Sequence, residues 1–389
     1  MVWRRQTIWT YIFSSIDVAW FAADKTILAP RPLIPSGFCR MLWRLLNGGT
    51  LPMIVVMPDA RYAGAAEIEQ AVFGDRAIIK PFQAPTQADI SDEVWKSADA
   101  LMVWGRLRCD KEMLDRAKNV KMILRMGVGF DALDIEEAGK RGIPACNVPD
   151  YGTTDVADHA IGLMLSLTRG IVQVHNNIVA DPVGNWETIN IPQMRRVRGA
   201  TFGVVGCGRI GTAAGLRAKA LGMNVIFYDP YVQDGKDQSV GFERRDTLED
   251  LLREADVVSI HTPLTPETDS MISGQAFSCM KDDAILITTA RGRVVDLDAV
   301  TEALKANKIA AAGLDVLPKE PPEPDHPLFV ALKAGEDWTK GRVVVTSHVA
   351  WFSPDGARDC REKAAQTVIS YLADGVLKNC VNGHLLKKY

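Results

Sequence analysis

A chain of 389 residues has room for two or three domains at ~150 residues each, with large buried cores. Its 47% hydrophobic and 24% charged residues exclude a disordered, collagen-like or fibrous protein. Lys and Arg number 45 against 48 Asp and Glu, and the net charge of −3 gives no electrostatic footprint for direct nucleic-acid binding.

The first 52 residues stand apart. They carry six basic residues (Arg4, Arg5, Lys25, Arg31, Arg40, Arg44) and two acids (Asp17, Asp24), which leaves the remainder at −7. The apolar run from Ile8 to Ala23 is interrupted by Asp17 and falls short of the ~20 residues that a membrane span needs. A basic, acid-poor, aromatic leader has three readings: a mitochondrial transit peptide, a loosely ordered extension, or sequence upstream of a start at Met53 or Met57.

From Met53 onward, short β-branched runs alternate with helical patterns. Met53–Met57, Ala77–Lys80, Ala100–Trp104 and Lys121–Arg125 read as buried strands, with Ala65–Phe73 and Lys111–Lys118 at helical spacing between them. Strands separated by helix-length segments imply crossover connections and a parallel sheet covered on both faces. Near Tyr151 the pattern becomes one long helix. Thr154 is its expected cap, Asp155 and Asp158 suit the positive end of its dipole, and it runs to about Val174. Its apolar residues cover more than one face, so it needs two burying partners, its own sheet and a second domain or subunit. A second alternating series follows: Thr201–Val205, Asn224–Tyr228, Ala255–Ile260, Ala284–Thr288, Ile309–Leu314 and Arg342–Thr346. Two successive α/β units predict two doubly wound parallel-sheet domains.

The strongest local motif heads the second unit. After the strand Thr201–Val205 come Gly206-Cys207-Gly208-Arg209-Ile210-Gly211 and a helical run to about Leu221. The first glycine permits the tight turn, the second lets backbone approach a pyrophosphate, and the third allows close helix packing. Free amides at the helix start then hold the phosphates. Asp229 ends the next strand, 18 residues past Gly211, where an acid accepts from the ribose hydroxyls and repels a 2′-phosphate. The pattern predicts NAD rather than NADP.

Downstream residues suggest what the dinucleotide serves. Arg291, in Thr289-Ala290-Arg291-Gly292, follows a strand at the carboxyl edge where open α/β sheets bind ligands. Its planar fork matches a carboxylate or 2-oxo acid, although a strand-end Arg is equally a surface salt-bridge partner. Glu320 lies in a proline-rich loop (Pro318, Pro321, Pro322, Pro324), and His348 follows the strand ending at Thr346. Spacing alone does not set His348 apart from His159, His175, His261, His326 and His384. The seven cysteines include no CxxC pair, so their spacing indicates neither a metal site nor a disulfide framework, and a reducing compartment such as the cytoplasm suits them.

From about Met53 the chain resembles the D-isomer-specific 2-hydroxyacid dehydrogenases. The matching stretches are RMGVGFDALDI (125–135), the glycine turn with FYDPY (227–231), HTPLTPET (261–268), TTARGRVVD (288–296), GLDVLPKEPP (313–322) and TSHVAW (346–351). FYDPY, Trp351 and LKNCVN (377–382) carry a closer likeness to the C-terminal binding proteins and their microbial relatives. Ser347 stands where proline commonly precedes the family's catalytic histidine, and the segment from Glu320 to His348 is longer than in the animal proteins.

The resemblance implies a flavodoxin-like substrate domain (53–150 with 347–389), a Rossmann NAD-binding domain (151–346), and a site in the cleft between them. It implies that Arg291 holds the substrate carboxylate, aided by backbone at Val128 and Gly129, that His348 gives and takes the proton, and that Glu320 orients the imidazole and favours its acid form. It places Arg209, Ile210, Thr262, Thr289, Ala290, Arg291, Asp315 and His348 at the cofactor beside Gly206, Gly208, Gly211 and Asp229. Trp351 would wall the pocket, which suggests an apolar or aromatic substrate side chain; ordinary packing between domains accounts for it equally. The helix Val156–Ile171 is the expected homodimer element. The expected activity is stereospecific reduction of a 2-oxo acid to a D-2-hydroxy acid, and the reverse. An NAD-sensing interaction protein, like the animal corepressors of this family, is the alternative.

Overall fold

The computed structural model describes residues 51–187, 191 and 193–386; apart from Leu51 and Pro52, the leader and the readings made for it lie outside the described residues. Two parallel sheets organise the rest. The first contains β1 (Met53–Met57), β2 (Ala77–Pro81), β3 (Ala100–Val103), β4 (Met122–Arg125) and β5 (Ala145–Asn147), in the order β2-β1-β3-β4-β5. That is the flavodoxin-like order. Alternate residues feed opposite cores. Val55, Met57, Met102 and Leu124 pack beneath Phe73 and the C-terminal helix, whereas Ile54, Val56, Leu101 and Ile123 meet Trp95, Met113 and Leu114 on the other face. Strands buried on both faces explain the continuous apolar runs.

The C-terminal helix, Pro354–Asp374, returns to this first sheet. Ser353 caps it by accepting from the Gly356 amide (2.9 Å), proline opens its first turn, and Gly375 ends it at φ +70°. It packs on the helix Glu67–Phe73, where the fully buried Glu69 takes a two-pronged ion pair from Arg361 (2.8 and 2.6 Å) and a hydrogen bond from the Tyr62 hydroxyl (2.9 Å).

The second sheet contains β6 (Thr201–Val205), β7 (Asn224–Tyr228), β8 (Glu243–Arg244), β9 (Val257–Ile260), β10 (Ile285–Thr288), β11 (Ala311–Leu314) and β12 (Val343–Val345). Its order, β12-β11-β10-β9-β6-β7-β8, is the Rossmann arrangement with one added edge strand. All pairs in both sheets are parallel. The ten strands read from the sequence are all present, with ends shifted by one or two residues. β5 and β8, at three and two residues, are too short to leave a pattern.

The long helix is corrected in two respects. It starts at Thr153 behind Gly152, with no side-chain cap, so Thr154 lies inside it. It also ends at Thr168. Gly170 adopts φ +62°, and a separate helix runs Ile171–Ala180. Val156, Ile161, Met164 and Leu167 are buried, and the last three pack within the second unit's own core, against the sheet and the helix Arg209–Ala220. Among the described residues no helix is long and apolar enough to cross a membrane.

Candidate active site

Carboxyl ends of strands from both sheets converge on one cavity of ≈ 330 Å³. The second sheet contributes Gly208, Arg209, Ile210, His261, Thr262, Thr289, Ala290, Arg291, Asp315 and His348, and the first contributes Arg125, Val128, Gly129, Asp131 and Asn147. Trp351 and Tyr151 close one end.

The glycine turn is built for close backbone approach. Gly206 has φ +91°, and a Cβ there would lie 3.0 Å from the His261 carbonyl oxygen. A Cβ at Gly211 would fall 2.0 Å from the Gly206 oxygen, so the helix can follow the strand this tightly only with glycine. Gly208 instead faces open space, where a phosphate would approach the helix start. The buried hydroxyls of Thr262 and Thr289 have no hydrogen-bond partner among the described residues. A glycine cradle and unspent hydroxyls on the same wall fit a dinucleotide. Asp229 ends β7 and accepts from the Cys207 amide (2.8 Å) and the Tyr231 amide (2.9 Å), which ties the turn to the next strand.

His348, Glu320 and Arg291 come together. His348 Nδ1 is 2.7 Å from Glu320 Oε2, and the backbone at His348 is held at φ +55°. Burial pushes the Glu320 carboxyl up. The hydrogen bonds from His348 and the Leu317 amide, with the charges of His348 and Arg291, outweigh that and hold it below its ordinary value. Glu320 therefore stays ionised near neutrality.

Asp315 organises the histidine loop from beneath. Its buried carboxylate accepts from the Thr346 hydroxyl (2.6 Å), the Val349 amide (2.9 Å) and the Ala350 amide (3.1 Å), and its carbonyl accepts from the His348 amide (2.7 Å). Trp351 Nε1 donates to the His348 carbonyl (3.0 Å). These bonds hold the loop without the proline that Ser347 replaces.

Arg291 crosses to the first sheet. Its Nε donates to Asp131 Oδ1 (2.9 Å), and its guanidinium lies so close to Gly129 that a Cβ there would sit 1.4 Å from Nη2. His261 also lines the cavity, with Nε2 2.9 Å from Ser259 Oγ; burial pulls its pKa down to about 4, so it is neutral.

Sequence reasoning missed Arg61, Trp104, Arg125, Asp131, Tyr151 and His261 as site residues. Arg125 and Asp131 fall within the stretch 125–135, and a cation ending a buried strand was the available signal. Arg61 and Trp104 gave none. Among the described residues, no cluster of three or more His, Cys, Asp or Glu suits a metal ion.

Residues 161–350 match the family model for the NAD-binding domain of D-isomer-specific 2-hydroxyacid dehydrogenases. A D-3-phosphoglycerate dehydrogenase of Archaeoglobus fulgidus is 38% identical over 284 residues, covering 73% of this chain and 51% of that protein. The chain spans about half the length of the curated relatives it matches. Among solved structures, D-lactate dehydrogenase from Aquifex aeolicus, complexed with NAD and lactic acid, aligns with TM-score 0.72 at 27% identity. That match covers 85% of this chain and 99% of the other. A Thermus thermophilus protein aligns with TM-score 0.71 at 32% identity, covering 85% of this chain and all of its own.

Proposed function

The chain belongs to the D-isomer-specific 2-hydroxyacid dehydrogenase family, and from that premise we propose that it interconverts a 2-oxo acid and a D-2-hydroxy acid with NAD. The observation that carries the reading is the 2.7 Å His348–Glu320 pair on the same cavity as Arg291. When bound, the nicotinamide supplies or takes up a hydride. The turn Gly206–Gly211 would hold the pyrophosphate, Asp229 the ribose, and Thr262 and Thr289 the polar groups within reach of their free hydroxyls.

Arg291 presents a fork for the substrate carboxylate, and the backbone at Val128 and Gly129 flanks it. Ionised Glu320 accepts from Nδ1 of His348, which leaves Nε2 to hold or move the proton at the substrate C2 oxygen. We assign residues 53–150 and 347–389 to the substrate domain and 151–346 to the coenzyme domain. The return of the C-terminal helix to the first sheet supports this division.

The protein is further assigned as a homodimer. The apolar residues of Val156–Leu167 are spent internally, so the shared face shifts to Ile171–Trp186, where Val179 is 70% and Trp186 76% exposed.

His348→Ala tests the chemistry. It should lower kcat for 2-oxo acid reduction by roughly 10²–10⁴-fold, the usual worth of a positioned general acid. NADH binding, followed by fluorescence, should persist because the glycine turn is untouched. Reduction at the parent rate would overturn the assignment and favour the NAD-sensing interaction protein.

A further inference from the structure

The cavity wall carries more positive charge than one substrate carboxylate needs. Arg61 and Arg125 line it together with Arg291, yet neither forms an ion pair among the described residues. Arg61 makes its contacts with rings, its Cζ lying 6.0 Å from the Trp104 centroid and 5.8 Å from that of Trp351. Arg125 donates from Nη1 to the Met126 carbonyl, and burial lowers its pKa from the ordinary value. The neighbouring carboxylates are committed elsewhere: Asp131 to Arg291, Asp315 to the 346–350 loop, and Glu320 to His348 and the Leu317 amide.

A second observation points the same way. Trp104 is 4% exposed, and its Nε1 is buried with no acceptor among the described residues. Its ring lies 6.0 Å from Trp351, beneath Arg61. This end of the cavity therefore offers guanidinium donors and no free acceptor. Guanidinium groups in a partly desolvated wall are costly without a counter-charge, and a ligand anion supplies one. Arg over two indole faces also keeps its planar edge free for an oxyanion.

We propose that Arg61 and Arg125 form a second anion subsite, so that the preferred acid carries a carboxylate or phosphate at the end remote from its C1 carboxylate. This rests on the dehydrogenase reading and replaces the apolar side chain expected from Trp351 alone.

The test is an NADH-oxidation panel on the full chain. Pyruvate and 2-oxohexanoate serve as monoanions, 2-oxoglutarate as the dicarboxylate, and phosphohydroxypyruvate as the phosphate-bearing acid. One of the last two should exceed 2-oxohexanoate in kcat/KM by about 10- to 100-fold, the range of one charged hydrogen bond, and the better one identifies the anion. Within Arg61→Gln that ratio should collapse towards one, and within Arg61→Lys part of it should return; taking a ratio cancels any loss of folded protein. The preference should also shrink as salt is raised. Equal kcat/KM for mono- and dianions, or a ratio unaltered in Arg61→Gln, overturns the subsite while leaving the dehydrogenase reading intact. If no acid in the panel is reduced, that reading itself fails. Tryptophan fluorescence titration with the same acids then decides the subsite: tighter binding of a dianion upholds it, and equal or absent binding rejects it.

Discussion

The site depends on one close approach, Arg291 against Gly129. A methyl group at Gly129 would occupy the place of Nη2, only 1.4 Å away. The atom displaced is the end of a flexible side chain, so the backbone need not move. Gly129→Ala should therefore keep Tm and NADH affinity near parent values while raising KM for the 2-oxo acid by at least about tenfold, since a charge-assisted fork is misplaced. An unchanged KM would remove Arg291 from the carboxylate site. His261 makes a different kind of prediction. Its pKa of about 4 lies below the ~6.5 of an unfolded histidine, so between those values the unfolded chain binds a proton that the folded chain refuses. Stability should fall as pH drops from about 6.5 to about 4 and gain no further penalty from this group below that. Glu320, Asp131 and Asp256 have depressed pKa values and titrate below this window. Urea denaturation of His261→Asn should show a flatter decline from pH 6.5 to 4.5; an identical slope would assign the loss elsewhere.

At the scale of elements, the C-terminal helix is fastened to its sheet partner by one buried charge cluster. Glu69 is fully buried, Arg361 is largely so, and the guanidinium also stacks 3.7 Å over Tyr62. Glu69→Ala leaves Arg361 and the Tyr62 hydroxyl without their acceptor and should cost about 3–5 kcal/mol in urea unfolding, the penalty of breaking a buried pair. A loss below ~1 kcal/mol would show that water replaces the carboxylate at no appreciable cost. This contact was invisible in the sequence, where its two charges lie 292 residues apart. Strands were legible because parallel strands buried on both faces read as unbroken β-branched runs. β5 and β8 were not, since two or three residues carry no period. The break at Gly170 was hidden because a glycine inside a helical pattern is tolerated as often as it terminates one. At the site, Gly206–Gly211, Arg291, Glu320 and His348 were found because each belongs to a local motif. Arg61 and Trp104 were not, because they reach the cavity through tertiary packing of the first sheet.

The whole molecule presents one further regularity, a run of exposed apolar side chains immediately after the buried helix. Ile171, Val174, Val179, Val183 and Trp186 are 55, 37, 70, 85 and 76% exposed, and the helix Ile171–Ala180 buries none of its residues in the chain described. Single exposed apolar residues need no explanation, but a contiguous set marks an interface. A second copy can cover it through a two-fold axis that places the same patch on both sides. Sedimentation velocity at micromolar protein should then give about twice the 42.7 kDa chain mass. The double variant Val179→Asp/Trp186→Asp puts two carboxylates where each protomer must desolvate them, so it should sediment as a monomer. Its near-ultraviolet circular dichroism and NADH binding report whether the protomer remains folded. A parent chain that sediments as a monomer would sink the homodimer, and a variant that stays dimeric would move the two-fold axis to another face.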